Sequence, residues 1–389
     1  MTSETRMDVR EILHAALMTP TSHGWGLPLL LEGEPGTAKT SIMEEVGARA
    51  GLKVKTLIAS IRQPADFMGY PTPSAKTPGT VDALVERWVI ELADEPGLLF
   101  LDELNTAPPA VQAALLRVIL EGVVGDTELD RGVRCIAAQN AVGDAAGGWD
   151  LAPPLANRFG HLKWQGPPMD DWSNWVLGAA GPVEIKPVDL DDAEDEVMAA
   201  WDAPWARARG AVMAFLRARP DLMHKMPTAG DDRSHAWPSR RTWEMAMRAM
   251  ASSEVHELSK VERDVFIGAF IGEGASVELA TWVAHQDLPD PMDVLMGRVT
   301  FAHNPERLDR SHAILTAIAA LVVGTQDKDK QLDLAAKAWV LLLAVCETGA
   351  IDLAWRPATV LARASLVDMP EVPPVLKHVF PLSTHGTAA

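Results

Sequence analysis

The sequence predicts an α/β protein, a parallel-sheet domain followed by an all-α half, on two observations. From about residue 27 to residue 164, short apolar runs alternate with helix-period patterns, as required when strands buried on both faces are joined by crossover helices. Beyond that point the strand signal fades and the 3.6-residue period takes over.

The expected strands are residues 27–31, 54–59, 98–101, 133–138 and 162–164. Between them Ile42, Val46 and Ala50 recur at helical spacing, as do Val111, Leu115 and Val118. Thr106 reads as the N-cap of the second of these helices, with Pro108 and Pro109 in its first turn, where a missing N–H does no harm. The acidic run 189–196 suits an exposed connector or a solvated helix start. Helical patterns follow at 205–219, 241–251, 262–271 and 276–285, and two more at 311–323 and 332–345 are apolar nearly all round, as a buried pair would be. The expected division is a nucleotide-binding domain at 1–166, an acidic and Pro-rich connector at 167–198, a helical lid at 199–300 and a C-terminal helical extension at 301–389, ending in a small-residue tail at 383–389.

Bulk properties narrow the function. The formal charge is -18, from 35 basic and 53 acidic residues, so the chain as a whole repels phosphate backbones and anionic lipid. Nucleic acid is not the expected partner. Cys135 and Cys346 stand far apart in apolar runs, which gives no ground for a disulfide framework or zinc cluster and predicts two buried thiols. The N-terminus lacks a signal-peptide core, and the apolar stretches later on are broken by Lys337, Gly324 and Thr325. A cytoplasmic protein without a membrane span is expected.

The chemistry is concentrated at the ends of the strands. Gly33-Glu34-Pro35-Gly36-Thr37-Ala38-Lys39-Thr40 leads from a strand through a tight turn into a helix. That is what a polyphosphate needs: glycines let backbone N–H groups converge, the helix dipole adds to them, Lys39 reaches the β and γ oxygens, and Thr40 can hold Mg²⁺. Ala38 replaces the usual glycine and is expected to be tolerated at an already helical position. Asp102 and Glu103 end a buried strand; Asp102 would face Mg²⁺, and Glu103 would polarise the water that attacks the γ-phosphate. Asn140, at the polar end of a further strand, could hydrogen-bond both the γ-phosphate and that water. Arg158, on a short helix before the last strand, is a candidate arginine finger offered to a neighbouring subunit. Arg241, or its neighbour Arg240, opens a later helix and is expected to look back at the γ-phosphate.

In this order the motifs resemble the MoxR group of AAA+ ATPases, and GEPGTAKT, FLDELNTAPPAVQAALLRVILEG, CIAAQN, WDLAPPLANRFGHLKW and PSRRTWEMA strengthen the resemblance. It spans roughly residues 27–295. It implies an αβα nucleotide domain with a helical lid, ATP and Mg²⁺ at the interfaces of a homo-oligomeric, hexameric ring, and chaperone-like remodelling of protein clients, often proteins with a von Willebrand factor A domain. It further implies that the insert at 65–73 rises toward the pore, with Phe67 or Tyr70, the sole tyrosine, touching the client, and that 122–132 form a hairpin before the sensor strand. Two other functional classes stand beside it: an ATP-gated scaffold with little turnover, and a nucleic-acid translocase, which the acidic balance disfavours.

Overall fold

The computed structural model describes residues 7–140, 149–178, 188–228, 233–286, 289–325, 327–364 and 366. By packing, the chain divides into two units, Met1–Met198 with His224–Ser276, and Ala199–Met223 with Val277–Ala389. This division does not follow the chain in order as the composition-based boundaries at 166, 198 and 300 do. The tail at 383–389 and part of the connector, 179–187, lie outside the described residues.

The first unit opens with α1 (Val9–Leu17), β1 (Leu29–Glu32), α2 (Lys39–Arg49), β2 (Lys53–Ile58) and the short α3 (Pro64–Met68). The hairpin of β3 (Tyr70–Pro73) and β4 (Val81–Leu84) follows, then α4 (Arg87–Asp94), β5 (Gly97–Asp102) and α5 (Pro109–Glu121). A second hairpin, β6 (Val123–Val124) and β7 (Thr127–Glu128), precedes β8 (Arg134–Gln139), α6 (Pro153–Ala156), β9 (Gly160–Lys163) and α7 (Met169–Val176). The chain then enters α8 (Leu190–Ala218), whose first turns carry the acidic run, and later returns to the unit as α9 (Arg240–Val255) and α10 (Lys260–Ile271).

Five strands form one parallel sheet in the order β2-β5-β8-β1-β9. Leu29, Leu30, Leu31 and residues 98–101 are almost fully buried, which is why these strands read as unbroken apolar runs. The chain leaves β1 for the far edge at β2 and works back through β5 and β8, so the carboxyl ends of β1, β5 and β8 stand side by side. Ligands of open α/β sheets bind there. On one face α4 and α5 contribute Trp88, Val89, Val111, Leu115 and Val118 to a continuous core with β5 and β8. α1 packs against α2, α9 and α10, and α10 against β9.

Thr106 is not the cap of α5. The N-cap is Pro108, with Pro109 as the first helical residue, while Thr106 closes a 3₁₀ turn by donating its hydroxyl to Glu103 O at 2.8 Å. The local carbonyl takes the hydroxyl that a cap would have used. The expected hairpin before the sensor strand is present, turned by Gly125-Asp126 with Gly125 at φ 58°.

The second unit holds the remainder of α8, α11 (Glu273–Gln286) from Val277 onward, α12 (Pro291–Leu295), α13 (Leu308–Gly324), α14 (Lys328–Glu347) and α15 (Ile351–Arg363). The buried pair α13 and α14 shares its core with α15 through Ile318, Val322, Leu342 and Leu361. Cys346 lies in that core, whereas Cys135 is half-buried on β8; both are free thiols, and burial pushes Cys135 up to about 12. Among the described residues no helix is long and apolar enough to cross a membrane.

Candidate nucleotide site

The phosphate loop is held open by geometry that its sequence only partly announces. A Cβ on Gly33 would stand 2.3 Å from Trp164 O, and Gly36 sits at φ 75°, so both positions require glycine. Ala38 corrects the expectation of an already helical residue: it is the N-cap of α2 at φ 61°, ψ 33°, in the left-handed region. Its methyl group therefore meets strain of about 1–2 kcal/mol that glycine would avoid. No side chain caps α2, which leaves the amides of its first turn to a ligand. Trp164 steadies the loop by donating Nε1–H to Thr37 O at 2.7 Å.

Lys39 is buried at the centre of the site. Its Nζ donates to Gly33 O and Glu34 O, each at 2.9 Å, and to Asn140 Oδ1 at 3.2 Å. Burial lowers its pKa, against the opposing attraction of Asp102 and Glu103. Thr40 Oγ1 donates to Asp102 Oδ2 at 3.2 Å, and Asp102 Oδ1 accepts the Glu103 N–H at 2.9 Å. Loop, acid strand and sensor strand thus meet through these four side chains.

Glu103 is the second residue in the left-handed region, at φ 57°, ψ 40°. Such a conformation costs on the order of 1–3 kcal/mol and recurs where a side chain must be aimed. The exposed carboxylate accepts a hydrogen bond from Ser60 Oγ at 2.5 Å. Asn140 is fixed from behind by Asn105, which donates Nδ2–H to Asn140 O at 2.9 Å. Ser60, Asn105 and Trp164 escaped sequence reasoning as site residues. Asn105 had the best available signal, two residues beyond the acid pair at the mouth of a strand.

A cavity of about 840 Å³ runs from this cluster, past Asp102, Glu103 and Asn140, to Trp172 and Trp175 of α7. Its size is ordinary for a small-ligand site. The hard oxygens of Thr40 and Asp102 suit Mg²⁺ sharing its shell with phosphate and water. Among the described residues no group of three or more His, Cys, Asp or Glu offers a metal site made by protein alone.

Arg158 and Arg241 do not line this cavity, and they are near enough for the charge of Arg241 to act on Arg158. Burial, and next the nearby Arg241, holds the Arg158 guanidinium below its ordinary pKa. The cause of the pairing is a buried polar network. Ser239 Oγ donates to Asn157 Oδ1 at 2.8 Å and accepts the Thr242 N–H at 3.2 Å, while Asn157 Nδ2 donates to Trp237 O at 3.4 Å. Capping α9 with Ser239 therefore ties its first turn to the end of α6. Arg158 donates to Pro154 O, and neither arginine has a carboxylate partner among the described residues. Arg240 is exposed on the same first turn.

Phe67 corrects another expectation. Only 1% exposed, it packs edge-on against Trp88 inside the core and cannot meet a client. Tyr70, 39% exposed, donates its hydroxyl to Asp66 at the base of the β3–β4 hairpin.

Residues 28–159 match the family model of the AAA domain, dynein-related subfamily. The sheet-bearing part of the chain is therefore a nucleotide-binding domain of the AAA+ class. A crystal structure of a "putative ATPase" from Cytophaga hutchinsonii ATCC 33406 is 18% identical, with a TM-score of 0.46 over 71% of this chain and 88% of that chain, a likeness too distant to carry an argument. No curated protein matches the chain.

Proposed function

We propose that this chain is a magnesium-dependent ATPase of the MoxR type, which assembles with copies of itself into a ring, six-membered as in the group it resembles, and uses ATP hydrolysis to remodel a protein partner. The observation that carries this reading is the asymmetry of the site. Phosphate loop, acid pair and sensor share one cavity, whereas Arg158 and Arg241 stand together outside it without an anionic partner. Two adjacent guanidiniums repel each other, and an anion brought to them relieves that repulsion. The γ-phosphate of a neighbouring copy is such an anion.

The roles follow from placement. Lys39 leaves its loop carbonyls for the phosphate oxygens, and the α2 amides take the remaining charge. Thr40 and Asp102 would hold the magnesium ion, which when bound neutralises charge on the β and γ oxygens. Glu103 orients the attacking water and accepts its proton as the water oxygen bonds to the γ-phosphorus and ADP leaves. Asn140 fixes that water against the γ-phosphate. From the neighbouring copy Arg158, with Arg241 beside it, stabilises the transferring phosphoryl group, a contribution on the order of 10³- to 10⁵-fold in rate for an arginine finger. The acidic chain favours a protein client over nucleic acid, with a von Willebrand factor A domain as the class to try first and Tyr70 as the hairpin residue to test for contact.

The test is ATP turnover against protein concentration for the wild type and Arg158→Ala, with sedimentation alongside. Turnover per subunit should rise with assembly, and Arg158→Ala should abolish it while ATP binding and assembly persist. Turnover independent of concentration, or indifferent to Arg158, would overturn the shared-site reading.

A further inference from the structure

Three helices of the second unit bring basic side chains together: Arg217 near the end of α8, His312 early in α13 and Arg356 of α15. Gly210 lets α8 come close to α13, since a Cβ there would stand 2.5 Å from that of Ala317. Arg217 follows two turns later on the same face of α8, and its Nη1 donates to His312 Nε2. The shared core of α13 and α15, through Ile318 and Leu361, brings in Arg356. Its charge acts on both Arg217 and His312.

The histidine is 6% exposed, whereas both arginines are exposed. Because Nε2 accepts from Arg217, the ring hydrogen stays on Nδ1, 3.4 Å from Thr316 Oγ1. Burial, and next the two guanidiniums, push the ring down to about 4, so it is neutral at ordinary pH. A buried neutral ring thus fixes one edge of the Arg217 fork and leaves its other N–H groups exposed. Arg217 is ordered in this way before any ligand arrives.

Among the described residues no carboxylate answers these charges. Asp221 and Glu278 both pair with Arg219. Asp352, one turn before Arg356 on α15, forms no ion pair with it. The charges that act on Arg217 and His312 are cationic, which leaves the pair of guanidiniums repelling each other in a chain with 53 acidic residues against 35 basic. A single carboxylate would answer one of the two charges. A phosphate group carries about −1.5 to −2 at neutral pH, presents several acceptor oxygens and matches the guanidinium fork.

We propose that Arg217 and Arg356 form a phosphate-binding site on the second unit, with His312 as the positioning residue that holds the Arg217 fork in place. The site belongs wholly to that unit and does not rest on the nucleotide reading.

Titration of the full chain with inorganic phosphate at constant ionic strength, followed by NMR through the His312 ring, tests this; the resonance is the one lost in His312→Gln. It should shift saturably in the wild type and equally in Lys39→Ala. Arg217→Ala and Arg356→Ala should each weaken the response about 10-fold or more, and Arg217→Lys, which keeps the charge without the fork, should fall between. Calorimetry in the Lys39→Ala background tests the histidine: His312→Leu should weaken phosphate, and His312→Gln, which keeps an acceptor, should recover most of the loss. A phosphoserine tetrapeptide that binds more tightly than inorganic phosphate supports the site and assigns it to phosphate displayed on a protein. Equal affinity for the two supports it as a site for a free phosphorylated ligand. No saturable shift, the same shift with chloride, arginine variants that titrate like the wild type, or an unphosphorylated peptide that binds as well as the phosphorylated one overturns the site. A His312→Gln variant as weak as His312→Leu overturns the positioning role.

Discussion

Ser60 donates its hydroxyl to the Glu103 carboxylate at 2.5 Å, across the mouths of β2 and β5. Its donor occupies one carboxylate oxygen and ties the side chain to the turn that follows β2. Ser60→Ala removes a hydrogen bond to a charged group at a solvent-accessible site, worth about 1 kcal/mol. Turnover should rise about fivefold with little change in KM, measured by steady-state ATP hydrolysis. A fall, or an altered KM with kcat constant, would mean that Ser60 serves ATP binding and does not restrain Glu103. Glu103→Gln keeps the shape without the basicity and should abolish turnover in either background. A scaffold that does not depend on hydrolysis would keep its biological output in that variant.

Ala38 bears on stability. Held at φ 61°, it carries a Cβ in a conformation where only glycine is free of strain. Ala38→Gly relieves that strain but gives the unfolded chain more freedom, so the net gain should be about 1 kcal/mol. Chemical denaturation, read as a higher midpoint at unchanged slope, checks it. A loss of stability would show that surrounding contacts already offset the strain.

Much of this architecture was legible because buried parallel strands leave unbroken apolar runs, and the chemistry sits where those runs stop. Asp102 and Asn140 stand at the ends of β5 and β8 for that reason. The misses have equally physical causes. Ala38 gives no local sign of positive φ, because only glycine or asparagine advertises it. Phe67 lies in a Pro- and Gly-rich stretch that reads as an exposed loop, and its burial is decided by Trp88, twenty-one positions away in sequence. The pairing of Arg158 with Arg241 depends on a Ser239–Asn157 hydrogen bond spanning 82 positions, which no local pattern encodes. α7 is too short, and too little buried, to leave a period.

Arg134 is a structural residue that reads like a stray charge on a strand. It is 1% exposed, donates to Leu17 O at 3.2 Å and to Gly132 O, and pairs with Glu194 at the start of α8. Burial lowers its pKa, and Glu194 opposes that shift. Arg134→Ala leaves Leu17 O and Gly132 O without this donor and Glu194 without its cation. Removing one partner of such a pair costs about 3–5 kcal/mol, so the variant should melt well below the wild type. Arg134→Met, which fills the space without the charge, should recover part of the loss. If the alanine variant melts with the wild type, the pair contributes nothing net.

Buried histidines set the acid limit. His256, edge-on to His14 at 5.7 Å, is pushed down to about 4 by burial and then by His14; His312 in the other unit is pushed down to about 4 by burial and then by Arg217 and Arg356. In the unfolded chain each takes a proton near the ordinary value of 6.5. Between about pH 6.5 and pH 4 the unfolded state therefore binds more protons, and stability falls as the pH falls. Above that window both rings are neutral in either state and the full stability is present. At pH 5 each histidine should cost about 2 kcal/mol relative to pH 7.5. Replacing His256 by Gln removes one titration and should shrink the drop in denaturation free energy between these pH values by about 2 kcal/mol, leaving the parts due to His312 and to His14, which burial also holds below its ordinary value. Should the wild type and His256→Gln lose stability in parallel over that range, His256 is not held neutral in the fold.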